Sequence, residues 1–230
     1  MPTAVVANPG VRRSIAGTYV PTIYQEYDSV FDLISPIRLE SVEKVIENFA
    51  EIVSLPTLNF GVREDSEFWY IYYMVYHPYD VSFSPIKIIR KLDSHRHDTE
   101  GILLRVQKST GVTDIITVSH FLFKCARKAQ RSVVIEANSH AIRPYNGTDL
   151  GPRGNYMVYK LFDLVDLNTL QETGDWERIR SDISKTASMP DEQYDNILSG
   201  SPSGHRINKR GDIWNRPDRL CKSLELTGRL

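Results

Sequence analysis

The sequence predicts a mainly β protein: an antiparallel β-sandwich with one packed amphipathic helix and short helices near the C-terminus. Three observations support this prediction. Segments rich in β-branched and aromatic residues follow one another through the middle of the chain, turn-forming residues separate them, and no long helical pattern lies between them. Closely spaced strands of this kind pair antiparallel, and two sheets bury their apolar faces by packing on each other.

Five segments are predicted as strands, and they are residues 68–76, 102–106, 115–123, 132–137 and 156–161. The first is almost continuously apolar and aromatic, which predicts burial on both faces and a place in the core. A basic segment, residues 124–131, is predicted as a solvated turn between strands, because it lacks the interleaved aromatic residues of a base-stacking surface.

Helices are predicted on either side of the strands. In residues 40–55 the apolar side chains recur at three- and four-residue spacing, while charged side chains occupy the other face. This segment is therefore predicted as a helix that packs on a sheet and is ended by Pro56. Two short helices are predicted at residues 174–183 and 190–198.

The chain is predicted to form a single β-sandwich domain over residues 1–230, with irregular extensions at residues 1–36 and 174–230. We find no internal repeat. A chain of 230 residues buries a sufficient core without disulfide bonds. Whether its two cysteines, Cys125 and Cys221, are paired stays open at this point.

Charge and hydropathy argue against several function classes. The 28 Lys and Arg residues balance 29 Asp and Glu residues, for a net charge of −1, so neither a nucleic-acid partner nor an anionic membrane is expected. No segment approaches about 20 consecutive apolar residues, so we expect a soluble chain without a transmembrane segment. The N-terminus shows no signal peptide, which predicts a cytoplasmic protein or part of a particle, with export by a route other than Sec left open.

The densest group of potential metal ligands lies in residues 94–101, which contain His95, His97, Asp98 and Glu100. Nitrogen and oxygen ligands together suit a divalent cation, with Mg, Mn, Ca, Zn and Fe all compatible. Alternate residues of an extended chain share a face, so the two carboxylates point together and the two histidines form the other set unless the chain bends. The alternative is that these histidines and carboxylates hydrogen-bond each other at the start of a strand without an ion.

Further polar residues lie where predicted strands end, and side chains converge at such places. The aromatic strand runs on into Asp80, and Ser139 and His140 follow the strand predicted at residues 132–137. His120 lies on an alternating strand, where a histidine is typically a hydrogen-bonded sheet residue. If its face is that of His140, it would support the cavity from behind the ligands.

Residues 94–100 read Ser-His-Arg-His-Asp-Thr-Glu and resemble the heptapeptide Gly-His-Arg-His-Asp-Trp-Glu of the necrosis- and ethylene-inducing-peptide-like proteins, with five of seven positions identical. The resemblance covers about residues 68–145 and implies a β-sandwich. The chain departs from the family at Ser94 and Thr99, which replace Gly and Trp, and in a longer loop between Asp80 and His95. Known members of the family are secreted toxins, which conflicts with the missing export signal.

The resemblance also implies roles for individual residues. The implied ligands of a divalent cation are Asp80, His95, Asp98 and Glu100. His140 would line the same cavity, and His97 would stand outside the ligand set. Mg²⁺ or Ca²⁺ is the expected ion, and Mn, Zn or Fe is compatible with the ligand types. The residues predicted to line the cavity or to support the ligands are His97, His120, Ser139 and His140.

Three functions are compatible with these residues. The leading hypothesis is a metal-containing binding module in which the ion bridges the protein to a polar ligand such as a sugar or a lipid head group, as the resemblance implies. The second is a metal-dependent hydrolase or oxygenase, which needs an open coordination position. The third is a structural subunit of a larger assembly, such as a virus or phage particle, with protein partners. Whether the chain is an enzyme is left open, because no nucleophile motif or phosphate-binding loop occurs.

Overall fold

The computed structural model describes residues 3–28, 32–35, 55–80, 95–119, 122–148, 150, 154–175, 178 and 216–230. The elements in chain order are β1 (Ala4–Val5), α1 (Pro9–Tyr19), β2 (Thr22–Tyr27), β3 (Thr57–Glu64), β4 (Phe68–Asp80), β5 (His95–Gln107), β6 (Thr113–Ser119), β7 (Leu122–Ala126), β8 (Ser132–Ile135), β9 (Ile142–Pro144), β10 (Asn155–Tyr159), β11 (Asp163–Asp166), α2 (Leu167–Thr173) and α3 (Pro217–Leu226). The predicted mainly β fold is confirmed.

The strands form two sheets. The larger sheet has the order β1-β3-β4-β5-β6-β7, with β11 also paired to β3, and the smaller sheet has the order β10-β2-β8-β9. Most pairs are antiparallel, as predicted. Two pairs depart from that pattern, because β11 runs parallel to β3 and β2 runs parallel to β8.

The main core lies between the two sheets. Apolar side chains of the larger sheet, such as Phe60 and Ile102, pack there against apolar side chains of the smaller sheet, such as Ile23 and Ile135. Each of these four side chains is fully buried. Burial of this kind drives the two sheets together, and it confirms the predicted sandwich.

A second core lies on the outer face of the larger sheet, where α3 covers it. Leu220, Cys221 and Leu224 of α3 pack there against Leu103 and other residues of the sheet. Both cysteines are free thiols, so the question of their pairing is answered for this structure. Arg105 reinforces the contact, because its guanidinium pairs with Asp114 at 2.8 Å and with Glu225 of α3 at 2.6 Å.

Part of the strand prediction needs correction. Residues 115–123 are not one strand, because β6 ends at Ser119 and β7 begins at Leu122. The two strands pair antiparallel with each other. The basic segment 124–131 is also only partly a turn, since its first three residues belong to β7.

The N-terminal part of the chain differs from the irregular opening that we predicted. Residues 9–19 form α1, whose first turn is capped by the Asn8 side chain, which accepts a hydrogen bond from the Val11 backbone at 3.1 Å. Pro9 suits the first helical position, where no backbone donor is needed. The strand that follows, β2, lies in the interior of the smaller sheet.

Most of the residues of the other predicted helices are not described by the structure. The helix predicted at residues 40–55 and most of those predicted at 174–183 and 190–198 lie outside the described residues. Gly174 is the left-handed residue that ends α2, with φ of 78°. Neither α2 nor α3 was predicted. None of the helices in the described ranges is long and apolar enough to span a membrane.

Candidate functional site

Two histidine rings stack on each other at one end of the sandwich. His77 lies near the end of β4, and His140 lies in the turn between β8 and β9. Their ring centroids are 3.8 Å apart and the ring planes differ by 13°. Both residues are fully buried. The stack therefore joins the larger sheet to a turn of the smaller sheet.

An unusual backbone conformation accompanies the turn that carries His140. Asn138 has φ of 64° and His140 has φ of 48°, a region that side chains other than Gly and Asn enter at a cost. Hydrogen bonds across the turn maintain it, because Ser139 N donates to Ala137 O at 2.7 Å and Glu136 N donates to Ala141 O at 3.1 Å. A conformation of this kind at a buried ionisable residue is characteristic of functional sites.

A buried carboxylate meets His140. Asp32 Oδ1 lies 3.3 Å from His140 Nε2, which makes an ion pair whenever His140 is protonated. The same oxygen accepts a hydrogen bond from Asn138 N at 2.6 Å, and Oδ2 accepts one from Asp28 N at 2.9 Å. Asp32 thus fixes the turn beside the segment that follows β2, and it does so through charge-assisted hydrogen bonds.

The other histidine meets an amide of the smaller sheet. His77 Nε2 lies 3.2 Å from Gln25 Oε1, and Gln25 is fully buried on β2. The Gln25 amide nitrogen donates to the Glu26 carbonyl at 2.8 Å, so its oxygen is the acceptor for His77. The contact is a hydrogen bond when the proton of His77 is on Nε2. It spans the two sheets, and it fixes the ring that stacks on His140.

Glu100 belongs to the same end of the sandwich. It lies on β5 directly opposite Val75, and Val75 is two residues before His77 on β4. Residues paired across strands share a face, and so do alternate residues of one strand. Glu100 and His77 therefore share the face of the larger sheet that packs on the smaller sheet. Glu100 is 5% exposed, so its carboxyl group is buried at the border of the main core.

The register of β4 and β5 places the predicted ligands relative to the stacked histidines and Glu100. Asp98 pairs with His77, and Asp80 pairs with His95. The four predicted ligands thus lie on the two strands that carry His77 and Glu100. Only the backbone is described for Asp80, His95, His97 and Asp98, and His120 lies outside the described residues. Their predicted roles stay predictions.

Two of the other predicted residues, Ser139 and His140, lie in the turn between β8 and β9. His140 belongs to the buried cluster, whereas the Ser139 hydroxyl accepts a long hydrogen bond of 3.5 Å from Ala141 N. Within the described ranges, no three His, Cys, Asp or Glu side chains form a group that could by itself hold a metal ion. A cation would therefore need ligands from the Asp80 and His95 to Asp98 positions as well.

Three polar residues at this end of the sandwich, Gln25, Asp32 and His77, were not predicted as site residues. His77 stands three residues before Asp80 and could have been noticed as part of the same polar strand end. Gln25 lies on a strand that was not predicted, and Asp32 lies in a segment predicted to be irregular. Nothing in their local sequence distinguishes either one from a surface residue.

Solved structures with which the chain can be superposed include necrosis- and ethylene-inducing proteins. NLPPya in complex with glucosamine has 12% sequence identity and a TM-score of 0.46, with 81% of this chain and 84% of that chain covered. The complex of NLPPya with mannosamine has the same identity and a TM-score of 0.45. Necrosis and Ethylene inducing Protein 2, from the causal agent of witches' broom disease of cocoa, has 13% identity and a TM-score of 0.44, with 80% and 82% covered.

No family model and no curated protein matches the sequence. Structural similarity at this level says nothing about what this chain binds. The residues of this chain that bear on its function include, above all, the buried cluster of Asp32, His77, Glu100 and His140.

Proposed function

We propose that this chain is a β-sandwich binding module that takes a small polar ligand, such as a sugar or a lipid head group, at the end marked by the histidine stack. The observation that carries the proposal is the burial of four ionisable side chains at that end: Asp32, His77, Glu100 and His140. Burying ionisable groups is costly, so several of them at one end of the fold mark a candidate functional site.

The cation of this proposal is Mg²⁺ or Ca²⁺, with Mn, Zn or Fe as further candidates. Carboxylates are the ligands that the first two ions prefer, and an imidazole extends the choice to the others. Glu100 would supply one oxygen ligand, and Asp80, His95 and Asp98 are the further ligands that the sequence motif suggests. A divalent cation would also offset the negative charge that these carboxylates bring to a buried position.

Amino sugars are the first ligands to test. The named complexes of NLPPya contain glucosamine and mannosamine. Their ammonium groups would be attracted by the carboxylates of this end, and their hydroxyl groups could complete the coordination of a cation. A neutral sugar of the same ring size, glucose, lacks the ammonium group and serves as the matched ligand.

Thermal unfolding with and without added Mg²⁺, Ca²⁺, Mn²⁺ and Zn²⁺ tests the cation. A ligand of the native state at 100 times its Kd adds about 2.7 kcal/mol to the free energy of unfolding, which raises Tm. We expect this rise for the wild type and for Glu67→Gln, an exposed carboxylate in the turn between β3 and β4. We expect Glu100→Gln to lose it. A wild-type Tm that ignores all four ions, together with metal-free purified protein, would contradict the cation.

Calorimetry of glucosamine, mannosamine and glucose then tests the ligand. The proposal expects heats of binding for the amino sugars that are lost on chelation and in Glu100→Gln. The almost complete burial of the cluster favours a second role, in which it only holds the two sheets together. That role predicts that Glu100→Gln changes stability while no sugar and no cation binds to the wild type.

A further inference from the structure

A cavity of about 420 Å³ lies at the end of the sandwich opposite the histidine stack. It is bordered by the turn between β5 and β6, the segment between β7 and β8, and the end of α1. The course of the strands shows that the two sites lie at opposite ends. β6 begins at the cavity with Thr113 and β8 begins there with Ser132, whereas the turn that carries His140 follows the other end of β8. This cavity plays no part in the function proposed above.

The cavity is basic. Lys128, Gln130 and Arg131 line it, and the residues that complete its wall include no Asp or Glu. All three of these side chains are exposed on the described surface. Lys128 and Arg131 together bring two positive charges to one concave site, in a protein whose net charge is −1.

Arg131 is held in position by α1. Its Nη1 donates to the Thr18 carbonyl, and its guanidinium lies 5.1 Å from the centroid of the Tyr19 ring. Thr18 is its one hydrogen-bond partner among the described residues. A cation–π contact and one hydrogen bond orient the planar group and leave its other N–H donors for a ligand.

The backbone of Lys128 has an unusual conformation that hydrogen bonds maintain. Its φ is 45°, which is unfavourable for a lysine. The conformation is maintained because Lys128 N donates to Asp114 Oδ1 at 3.0 Å and Ala129 N donates to Thr113 O at 2.9 Å. The Asp114 carboxylate forms an ion pair with Arg105 at 2.8 Å, and among the described residues no ion pair joins it to the ammonium group of Lys128.

The rest of the wall is mainly apolar, with Thr113 as a further polar residue. Tyr19, Val112 and Ala129 contribute to it, and Val112 is 39% exposed. An exposed apolar side chain beside the oriented Arg131 guanidinium and the exposed Lys128 ammonium group suits a ligand that has both an apolar ring and a negative charge. Tyr19 is tilted against Trp69 with ring centroids 6.0 Å apart, which supports the apolar wall from behind.

We propose that this cavity binds a small organic anion, specifically a phosphate or sulfate ester of a compact apolar ring. The tetrahedral group has enough acceptor oxygens to meet donors from Lys128, Gln130 and Arg131 at once. Its ring would lie on Tyr19, Val112 and Ala129. A cavity of 420 Å³ has the volume of a small-molecule site. It lacks the row of aromatic rings along a groove by which proteins bind a nucleic-acid strand.

Calorimetry on the full chain, with phenyl phosphate as the probe and a chelator present, tests the proposal. Two matched ligands serve as controls: phenol has the ring but lacks the negative charge, and inorganic phosphate has the charge but lacks the ring. We expect phenyl phosphate to bind, phenol not to bind, and inorganic phosphate to bind at least about 5-fold more weakly than the ester, because it lacks the apolar contact. Inorganic phosphate that binds as tightly as phenyl phosphate would overturn the proposed ring contact.

Variants separate this cavity from general surface charge. Lys128→Gln and Arg131→Gln are each expected to weaken phenyl phosphate binding about 10-fold, which is the effect of losing one charge-assisted hydrogen bond. Arg127→Gln removes a neighbouring exposed charge outside the cavity and is expected to change Kd less than about 2-fold. Absence of binding to the wild type, or equal weakening by Arg127→Gln, would overturn the proposal.

Discussion

Two buried polar clusters hold this fold together in different ways. One surrounds Arg12 of α1, which pairs with Asp166 at 2.7 Å and with Glu172 at 3.2 Å. The other contains the stacked rings of His77 and His140. Arg12 carries a permanent charge, whereas a histidine changes its charge close to neutral pH. The permanent charge of the first cluster suits a fixed structural role, whereas the second cluster lies at the end proposed above to bind a ligand.

The Arg12 cluster satisfies each nitrogen of the guanidinium. Besides the two carboxylates, the Val6 and Ala7 carbonyls accept from Nη1 at 2.8 and 3.1 Å, and Thr169 Oγ1 accepts from Nη2 at 3.0 Å. Burial lowers the pKa of Arg12, but its hydrogen bonds and charge interactions with Asp166 and Glu172 more than offset this and raise it. A buried charge with such a complete set of partners joins α1 to α2 and does not act on a ligand.

The largest effect is expected from breaking the Arg12 cluster. Arg12→Met leaves the Asp166 carboxylate buried without its cation, and we expect a loss of about 3–5 kcal/mol in the free energy of unfolding. Urea denaturation measures this loss. The matched change Arg13→Met, one residue along α1 on its exposed side, should cost less than about 0.5 kcal/mol. A similar small cost for Arg12→Met would show that the cluster is not a structural clamp.

A smaller but still large effect is expected from Asp32→Ala. The change removes the acceptor of Asn138 N and Asp28 N and the partner of His140. The loss of two hydrogen bonds to a buried carboxylate, together with the loss of the partner of the buried His140, should cost about 2–3 kcal/mol, measured by the same denaturation.

The control for this variant is Asp28→Ala. Asp28 is exposed and bonds the Asn138 side-chain amide at 2.9 Å, so its loss should cost less than about 1 kcal/mol. Equal losses of stability for Asp32→Ala and Asp28→Ala would mean that the buried carboxylate of Asp32 does not stabilise this end of the sandwich.

Cys221 is a buried titratable group whose ionised form is disfavoured by its surroundings. Burial raises the pKa of its thiol from 9.0 to about 12, against the opposing effect of Arg105. A group whose pKa is higher in the folded than in the unfolded protein stabilises the fold. This contribution is fully present when the pH lies below the pKa of the unfolded state, and it is lost as the pH rises toward the pKa of the folded state. Between pH 8 and pH 10 the wild type should therefore lose about 1 kcal/mol more stability than Cys221→Ser. An identical pH dependence of the two proteins would contradict this.

The smallest effect is expected at the rim of the Arg12 cluster. The Glu172 side chain is 54% exposed, so its ion pair with Arg12 is screened by solvent. Glu172→Gln should cost less than about 1 kcal/mol in urea denaturation, whereas Asp166→Asn should cost about 2–3 kcal/mol because Asp166 is buried. A larger loss of stability for Glu172→Gln than for Asp166→Asn would show that Arg12 depends mainly on Glu172 and not on the buried Asp166.

Local sequence predicted the strands because their apolar pattern reflects burial directly. Residues 68–76 are apolar or aromatic almost throughout, and they lie in β4 at the centre of the larger sheet. The pattern failed at residues 115–123, which contain no Gly, Pro, Asn or Asp to indicate a turn, although two strands occupy them. It also failed for α1, which begins at a capping signal, Asn8 followed by Pro9, but has no pronounced apolar stripe.

The sequence by itself determined the mainly β class, the position of the central strands and the presence of Glu100 and His140 at a polar strand end. Only the tertiary structure decided that His140 stacks on His77, and that Asp32 reaches a turn 106 residues away. The reason is physical. Periodicity reports which residues of a segment are buried, whereas the choice of contact between distant segments follows from the register of the strands and the packing of the two sheets.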